Sequence, residues 1–129
     1  MSDANKKLIQ RGFDAFAQGD MEAMSEVLSP DVIWHTPGNN ILAGDRRGLE
    51  ETLSLFAQIG QETGGQVSQE IHAILADDEH AIALVNSSIT RNDKTVEGSS
   101  VFVFHVSGGQ VSECWAQNSE QAALDDLWS

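Results

Sequence analysis

Two short segments of the chain concentrate side chains that could do chemistry. The first, VIWHTPG (residues 32–38), has the pattern of a strand that ends at a proline–glycine turn, and it carries Trp34, His35 and Thr36. An indole can stack on a ring, an imidazole exchanges protons near neutral pH, and a hydroxyl donates and accepts hydrogen bonds. Side chains alternate across a strand, so Trp34 and Thr36 share one face and His35 lies on the other, although a twist at Pro37 would bring His35 to a pocket rim. The segment predicts a ligand site. The alternatives are that His35 is an exposed or interface histidine bonded to a carbonyl and that Trp34 packs in the core.

The second segment, SECWAQ (residues 112–117), places Glu113, Trp115 and Gln117 on one face of a strand. A carboxyl group beside an indole in apolar surroundings has a raised pKa and can act as a general acid or base. The alternative is a solvated glutamate close to a hairpin. We take His35 and Glu113 as the candidate catalytic residues, and Trp115 and Gln117 as candidate pocket residues.

The remaining titratable residues do not form a pattern typical of a metal or cofactor site. None of the four histidines has a second histidine at the spacing that metal ligands use on a helix or a strand. The glycine pairs belong to turns, and the chain has no phosphate-binding loop or dinucleotide fingerprint. We therefore predict no metal and no cofactor. Asp125 is read as a helix-surface charge that could turn toward a cavity mouth.

Composition excludes several classes of partner. Seven Lys and Arg stand against 20 Asp and Glu, a formal net charge of -13, which opposes binding to nucleic acid and to anionic membranes. The single cysteine, Cys114, cannot form an internal disulfide, and the N-terminal segment lacks the apolar run of a signal peptide. We expect one cytoplasmic domain spanning residues 1–129.

Hydrophobic periodicity predicts helices first and strands later. The predicted elements are helices at residues 3–18, 21–28 and 47–60, a strand at 32–36, strands at 66–76, 80–91, 95–106 and 110–117, and a final helix at 119–128. Gly19 is predicted to end the first helix, and Asp20 and Ser119 to cap the helices that follow them. This order indicates an α+β fold whose last four strands form an antiparallel meander. The strand cores AIALV and VFVF are apolar on both faces, which predicts that a second subunit covers the sheet.

Several of these motifs resemble the nuclear transport factor 2-like superfamily. They are FxAFxxGD (residues 13–20), LADDEH (residues 75–80) and GGxVxExW (residues 108–115), together with SPDVxW at the entry to the first strand. The chain is most similar to the SnoaL-like branch, which is related to polyketide cyclases and ketosteroid isomerases. The resemblance implies a cone, in which a curved antiparallel or mixed sheet wraps around three N-terminal helices and a short C-terminal helix follows.

The resemblance also implies a cavity at the open end of the cone. Relatives use such cavities for cofactor-free isomerisation, cyclisation or dehydration, or for binding alone, so the fold leaves the function open. The ketosteroid isomerases have an acidic base where this chain has Thr36, and a phenol where it has no tyrosine, which argues against their mechanism. We expect a small, largely apolar organic ligand and either acid–base chemistry or a non-catalytic binding or dimerisation module. The predicted lining is Trp34, Thr36, Phe16, Phe102, Phe104, Trp115, Gln117 and Trp128.

Overall fold

The computed structural model describes residues 2–129 and contains four helices and six strands. In chain order the elements are α1 (Ser2–Gln18), α2 (Met21–Val27), β1 (Leu28–Thr36), β2 (Gly44–Arg47), α3 (Leu49–Thr63), β3 (Val67–Ala76), β4 (His80–Arg91), β5 (Lys94–Ser107), β6 (Gln110–Asn118) and α4 (Gln121–Leu127). None of these helices is long and apolar enough to cross a membrane.

All six strands belong to one sheet with the order β2-β1-β6-β5-β4-β3. Strands β3 to β6 pair antiparallel in sequence order, which confirms the predicted meander. Strand β1 pairs antiparallel with β2 and parallel with β6, so the sheet is mixed. The predicted α+β cone is confirmed, because the helices pack against one face of this sheet, hereafter the inner face.

The core lies between the helices and the inner face. Side chains such as Leu8 and Ile9 of α1 and Leu55 of α3 are almost fully buried there, against Val32 of β1 and Val85 of β4. Burial of this apolar surface is the main term that stabilises the fold. The opposite side of the sheet is hereafter called the outer face. Within residues 2–129, the helices that bury the core do not cover this side.

The turns follow the predicted chemistry at one place and depart from it at others. Gly19 has a left-handed φ of 66°, and the Asp20 carboxylate accepts a hydrogen bond from the Ala23 N–H at 3.0 Å, so both predictions are confirmed. The prediction for Ser119 is wrong. Helix α4 begins after Glu120 without a side-chain cap, and the Ser119 hydroxyl accepts from the Ser99 N–H instead.

A helix end and a missed strand are among the differences from the sequence-based prediction. Leu28, placed in the second helix by its apolar spacing, is the first residue of β1. Strand β2 was not predicted, because its four residues, GDRR, contain no apolar side chain and therefore show no alternation. This short edge strand pairs His35 of β1 with Asp45, which matters for the site described next.

Candidate functional site

An apolar cavity of about 170 Å³ lies between the inner face of the sheet and the helices. Its aromatic walls are fixed by edge-to-face contacts. The rings of Trp34 and Phe56 are 4.9 Å apart, and those of Phe13 and Phe102 are 5.4 Å apart. Such contacts hold aromatic side chains in defined orientations. These edge-to-face contacts define the shape of the cavity wall.

Six of the predicted lining residues surround this cavity, and they come from α1, β1, β5 and the chain end. They are Phe16, Trp34, Thr36, Phe102, Phe104 and Trp128. Trp34 and Thr36 alternate with His35 along β1, as the strand pattern predicts. Sequence reasoning missed other lining residues, among them Asn40, Leu42, Ser100, Ala116, Asn118 and Gln121. That these residues bind a ligand stays a prediction.

The other four predicted site residues do not line the cavity. On β6, Cys114, Ala116 and Asn118 face inward, so Glu113, Trp115 and Gln117 lie on the outer face. The predicted position of these three residues at the cavity is wrong. Alternation correctly separates these three residues from the inward-facing ones. The smaller side chains face inward because the aromatic rings of α1 and β5 already occupy the space opposite β6. His35 does not reach the rim either.

His35 forms a compact cluster with its neighbours on the outer face. Its Nδ1 lies 2.7 Å from Asp45 Oδ1, and its Nε2 lies 2.6 Å from Glu113 Oε2. The imidazole also stacks on the Trp115 indole, with ring centroids 5.4 Å apart and planes 15° apart. Strand pairing explains the arrangement, because His35 is directly opposite Asp45 on β2 and opposite Trp115 on β6.

The cluster favours the charged form of the histidine. The hydrogen bond to Glu113 raises the pKa of His35 above its ordinary value, partial burial acts in the opposite direction, and Asp45 adds a further upward contribution. Each carboxylate bonds a different ring nitrogen, on opposite sides of the ring, so the three groups do not converge on one point that a metal ion could occupy. Within residues 2–129, no three side chains of the metal-binding types form such a group.

Polar side chains line the end of the cavity nearest α4, and they bond to one another. Ser100 Oγ donates to Asn118 Oδ1 at 2.6 Å, and Asn118 Nδ2 donates to Gln121 Oε1 at 2.9 Å. Gln121 Nε2 then donates to Asp125 Oδ1 at 3.0 Å, and Asn40 Nδ2 donates to the same oxygen at 2.7 Å. This chain of bonds ties the β1–β2 loop, β5, β6 and α4 together around the cavity.

Asp125 ends that chain of hydrogen bonds and does not line the cavity. Its Oδ1 also accepts from the backbone N–H of Asn39 at 3.0 Å. Hydrogen bonds from Asn39, Asn40 and Gln121, in that order of weight, lower the pKa of Asp125. Asp125 is thus an ionised structural carboxylate that fastens α4 to the loop before β2. The alternative that this helix-surface charge turns toward the cavity is wrong.

Among residues 2–129, no aspartate, glutamate, histidine, cysteine, lysine or arginine lines the cavity, and the sequence has no tyrosine. The polar groups in the wall are hydroxyls and amides. Thr36 is distinctive among them, because its Oγ1 is the one buried side-chain oxygen or nitrogen in the described part of the chain that has no hydrogen-bond partner. The site can therefore bury apolar surface and offer hydrogen bonds, but its own side chains offer no titratable group.

Comparisons with known proteins agree with this architecture. An uncharacterised protein of Mycobacterium tuberculosis strain H37Rv, Rv0034, is 26% identical over 128 residues, which cover 98% of each chain. Bal32a, from a soil-derived mobile gene cassette, has a sequence 29% identical to this chain. Its structure superposes with a TM-score of 0.94 over 99% of this chain and 98% of its own.

A third match supports the fold alone. It is an NTF2-like protein of unknown function from Burkholderia pseudomallei K96243, which is 18% identical, covers 100% of this chain and 99% of its own, and has a TM-score of 0.87. In addition, the model of the SnoaL-like domain matches residues 9–114, which is most of the sequence. The chain therefore belongs to the SnoaL-like domain family and has the NTF2-like cone fold.

Proposed function

We propose that this protein binds a small, largely apolar organic molecule in the cavity of the cone. The lining carries the proposal, because aromatic and aliphatic side chains form most of the wall and a few hydroxyl and amide groups lie at one end. Small-molecule sites in proteins typically combine an apolar wall with a small number of polar groups that fix orientation. Burial of the ligand's apolar surface supplies the affinity.

Binding without acid–base chemistry fits the site better than isomerisation, cyclisation or dehydration. Those reactions require a group that takes or gives a proton within hydrogen-bond reach of the ligand. The two candidates for that role, His35 and Glu113, are on the outer face and bond to each other. Thr36 occupies the position of the isomerase base and does not titrate near neutral pH. The non-catalytic alternative is therefore the one we carry forward.

The binding proposal can be tested with ethylbenzene and two matched substitutions on β6. Ala116→Leu adds bulk inside the cavity, whereas Gln117→Leu adds a similar side chain on the outer face. Both are made in a Trp115→Phe background, so that Trp34 and Trp128, which line the cavity, are the two remaining tryptophans. Fluorescence titration should show saturable binding to the background protein and to Gln117→Leu. Ala116→Leu should bind at least about tenfold more weakly.

Two results of this titration would count against the proposal. Equal affinity in both variants would mean that ethylbenzene binds outside the cavity. The absence of any saturable change in the background protein, for ethylbenzene and for other single-ring hydrocarbons, would mean that the cavity does not take apolar ligands.

We also propose that the protein is a cytoplasmic homodimer joined through the outer face of the sheet. A row of cross-strand neighbours runs over that face through Leu75, Ile82, Val103 and Trp115. Leu75, Ile82 and Trp115 are 54%, 37% and 41% exposed, and Val101 beside them is 37% exposed. Large exposed apolar patches typically mark interaction sites. A second copy is the simplest occupant, because a two-fold axis lets the same patch cover itself.

A further inference from the structure

We infer that the ligand of this cavity is an uncharged molecule of about one ring with a carbonyl or hydroxyl group, and that Thr36 binds that group. The inference rests on the proposed binding function and specifies the chemical class of the ligand. Three independent features of the cavity carry it: the unpartnered hydroxyl, the absence of charge in the wall, and the volume.

The hydroxyl of Thr36 is a buried polar group that the protein leaves without a partner. Its Oγ1 is buried, and no donor or acceptor among the described residues bonds to it. By contrast, Ser100, Asn118 and Gln121 at the same end of the cavity bond to one another. A buried hydroxyl without a partner is unfavourable, so a valine would serve better here if the position only had to fill space. Thr36 lines the cavity, and a ligand bound there is the partner that completes its hydrogen bond.

A hydroxyl at this position sets the type of group that it can recognise. It donates one hydrogen bond and accepts others, so it pairs equally with a carbonyl oxygen and with an alcohol or phenol. It does not neutralise charge. The hydroxyl therefore requires a polar group on the ligand, and the rest of the wall decides whether that group can carry a charge.

The wall of the cavity rejects ions for the same reason. No charged side chain lines it, so an ionised ligand would lose its hydration without gaining a counter-charge. The nearest carboxylate at the α4 end, Asp125, already accepts three hydrogen bonds through Oδ1 and lies outside the lining. The net charge of -13 adds a repulsion against anions that approach the cavity mouth.

The volume limits the ligand to about one ring with a short substituent. The cavity measures about 170 Å³. In another protein, an engineered apolar cavity of about 150 Å³ binds benzene. The aromatic walls formed by Trp34, Phe56, Phe13 and Phe102 suit the faces and edges of such a ring.

Four probes of similar size test this inference by calorimetric titration. They are acetophenone, 1-phenylethanol, ethylbenzene and phenylacetate, which differ in their polar group. Thr36→Val keeps the side-chain shape and removes the hydroxyl, and Thr36→Ser keeps the hydroxyl as a matched control. We expect Thr36→Val to weaken the binding of acetophenone and 1-phenylethanol by about five- to tenfold. The affinity for ethylbenzene should change by no more than about twofold. Thr36→Ser should retain the preference for acetophenone over ethylbenzene, and phenylacetate should bind wild type at least about a hundredfold more weakly than acetophenone.

The outcomes separate this inference from the proposal on which it rests. If ethylbenzene binds and Thr36→Val lowers its affinity by the same factor as the affinity for acetophenone, Thr36 does not recognise the polar group and the inference is wrong. Phenylacetate binding as tightly as acetophenone would overturn the uncharged class. Binding of none of the probes, ethylbenzene included, would overturn the proposed function itself. A melting temperature of Thr36→Val without ligand at or above that of wild type confirms that the variant is folded and that the hydroxyl does not serve stability.

Discussion

At the scale of single residues, His35 has a set of contacts that its protonated form satisfies best. Both ring nitrogens face carboxylate oxygens, and a neutral imidazole carries a hydrogen on one nitrogen alone. The pKa of His35 is accordingly raised above 6.5, first by the hydrogen bond to Glu113. A group whose pKa is raised on folding stabilises the native state below its unfolded pKa. That contribution disappears as the pH rises through the pKa of the folded protein.

His35→Gln should therefore destabilise the protein more at pH 5.5 than at pH 9. The side chain of His35 is 26% exposed in one chain, so we expect a difference of about 1 kcal/mol or less between the two pH values. Urea denaturation of wild type and variant at both pH values measures it. The other histidines are present in both proteins and cancel in the comparison. An equal loss of stability at pH 5.5 and pH 9 would contradict the charged cluster.

Strand alternation gave the correct grouping of the site residues on both strands but did not show which group of β6 faces inward. Trp34 and Thr36 were separated from His35, and Glu113 and Trp115 from Cys114, as the structure shows. The tryptophan suggested that its own side of β6 faces the cavity. That choice depends on which rings arrive from α1, α3 and β5, and this information is not local to β6. The unpartnered Thr36 hydroxyl is likewise visible once its neighbours are known.

At the scale of elements, the loop between β1 and β2 is held against α4 and forms part of the cavity wall. Asp125 accepts hydrogen bonds from the Asn39 N–H and the Asn40 side chain, and the Ile41 N–H donates to the Trp128 carbonyl. Gly38 allows this close approach. It has a φ of 102°, and a Cβ at this position would clash with Gln121 Nε2 and Asp125 Oδ1.

Gly38→Ala should therefore lower the stability more than the same substitution at a glycine whose Cβ position is open. Gly64 is the matched control, because it also has a positive φ, of 61°, and no atom near the position of a Cβ. We expect Gly38→Ala to lower the free energy of unfolding by about 1–3 kcal/mol beyond the loss in Gly64→Ala, because Gln121 and Asp125 must turn away from the new Cβ and lose hydrogen bonds. Denaturant titration of both variants measures the difference. Equal losses would contradict the tight contact between loop and helix.

The longer elements could be predicted from the sequence because their apolar spacing is strong, whereas β2 and the start of α4 could not. Strand β2 is polar throughout and exists because β1 offers it hydrogen-bonding partners. Ser119 was a reasonable cap by residue type, but its hydroxyl bonds to Ser99 across the neighbouring strand. In both cases a tertiary contact decided the local structure.

At the scale of the whole molecule, the sheet has two apolar faces with different roles. The inner face holds the core and the cavity, and the outer face carries the exposed row from Leu75 to Trp115 that we propose as a dimer interface. The same row continues into His35 and Asp45 on the neighbouring strands. Two-sided apolarity of the strand cores predicts a covered outer face, and the second subunit that would cover it stays a prediction.

If the protein is a dimer, light scattering at micromolar concentration should give a molar mass twice that of one chain. Ile82→Lys, which places a charge in the centre of the row, should shift the mass to that of one chain, because burying an unpaired charge in the interface is unfavourable. Asn86→Lys, on the same face of β4 but outside the row, is the matched control and should remain dimeric. A wild-type mass equal to one chain would contradict the proposal.

The central claim is that the cavity inside the cone is a binding site, and a crystal structure of the wild-type protein soaked with acetophenone tests it most directly. We predict density for the ring between Trp34 and Phe102, with the carbonyl oxygen within about 3.2 Å of Thr36 Oγ1. Density on the outer face beside His35 and Trp115, with none in the cavity, would contradict the claim.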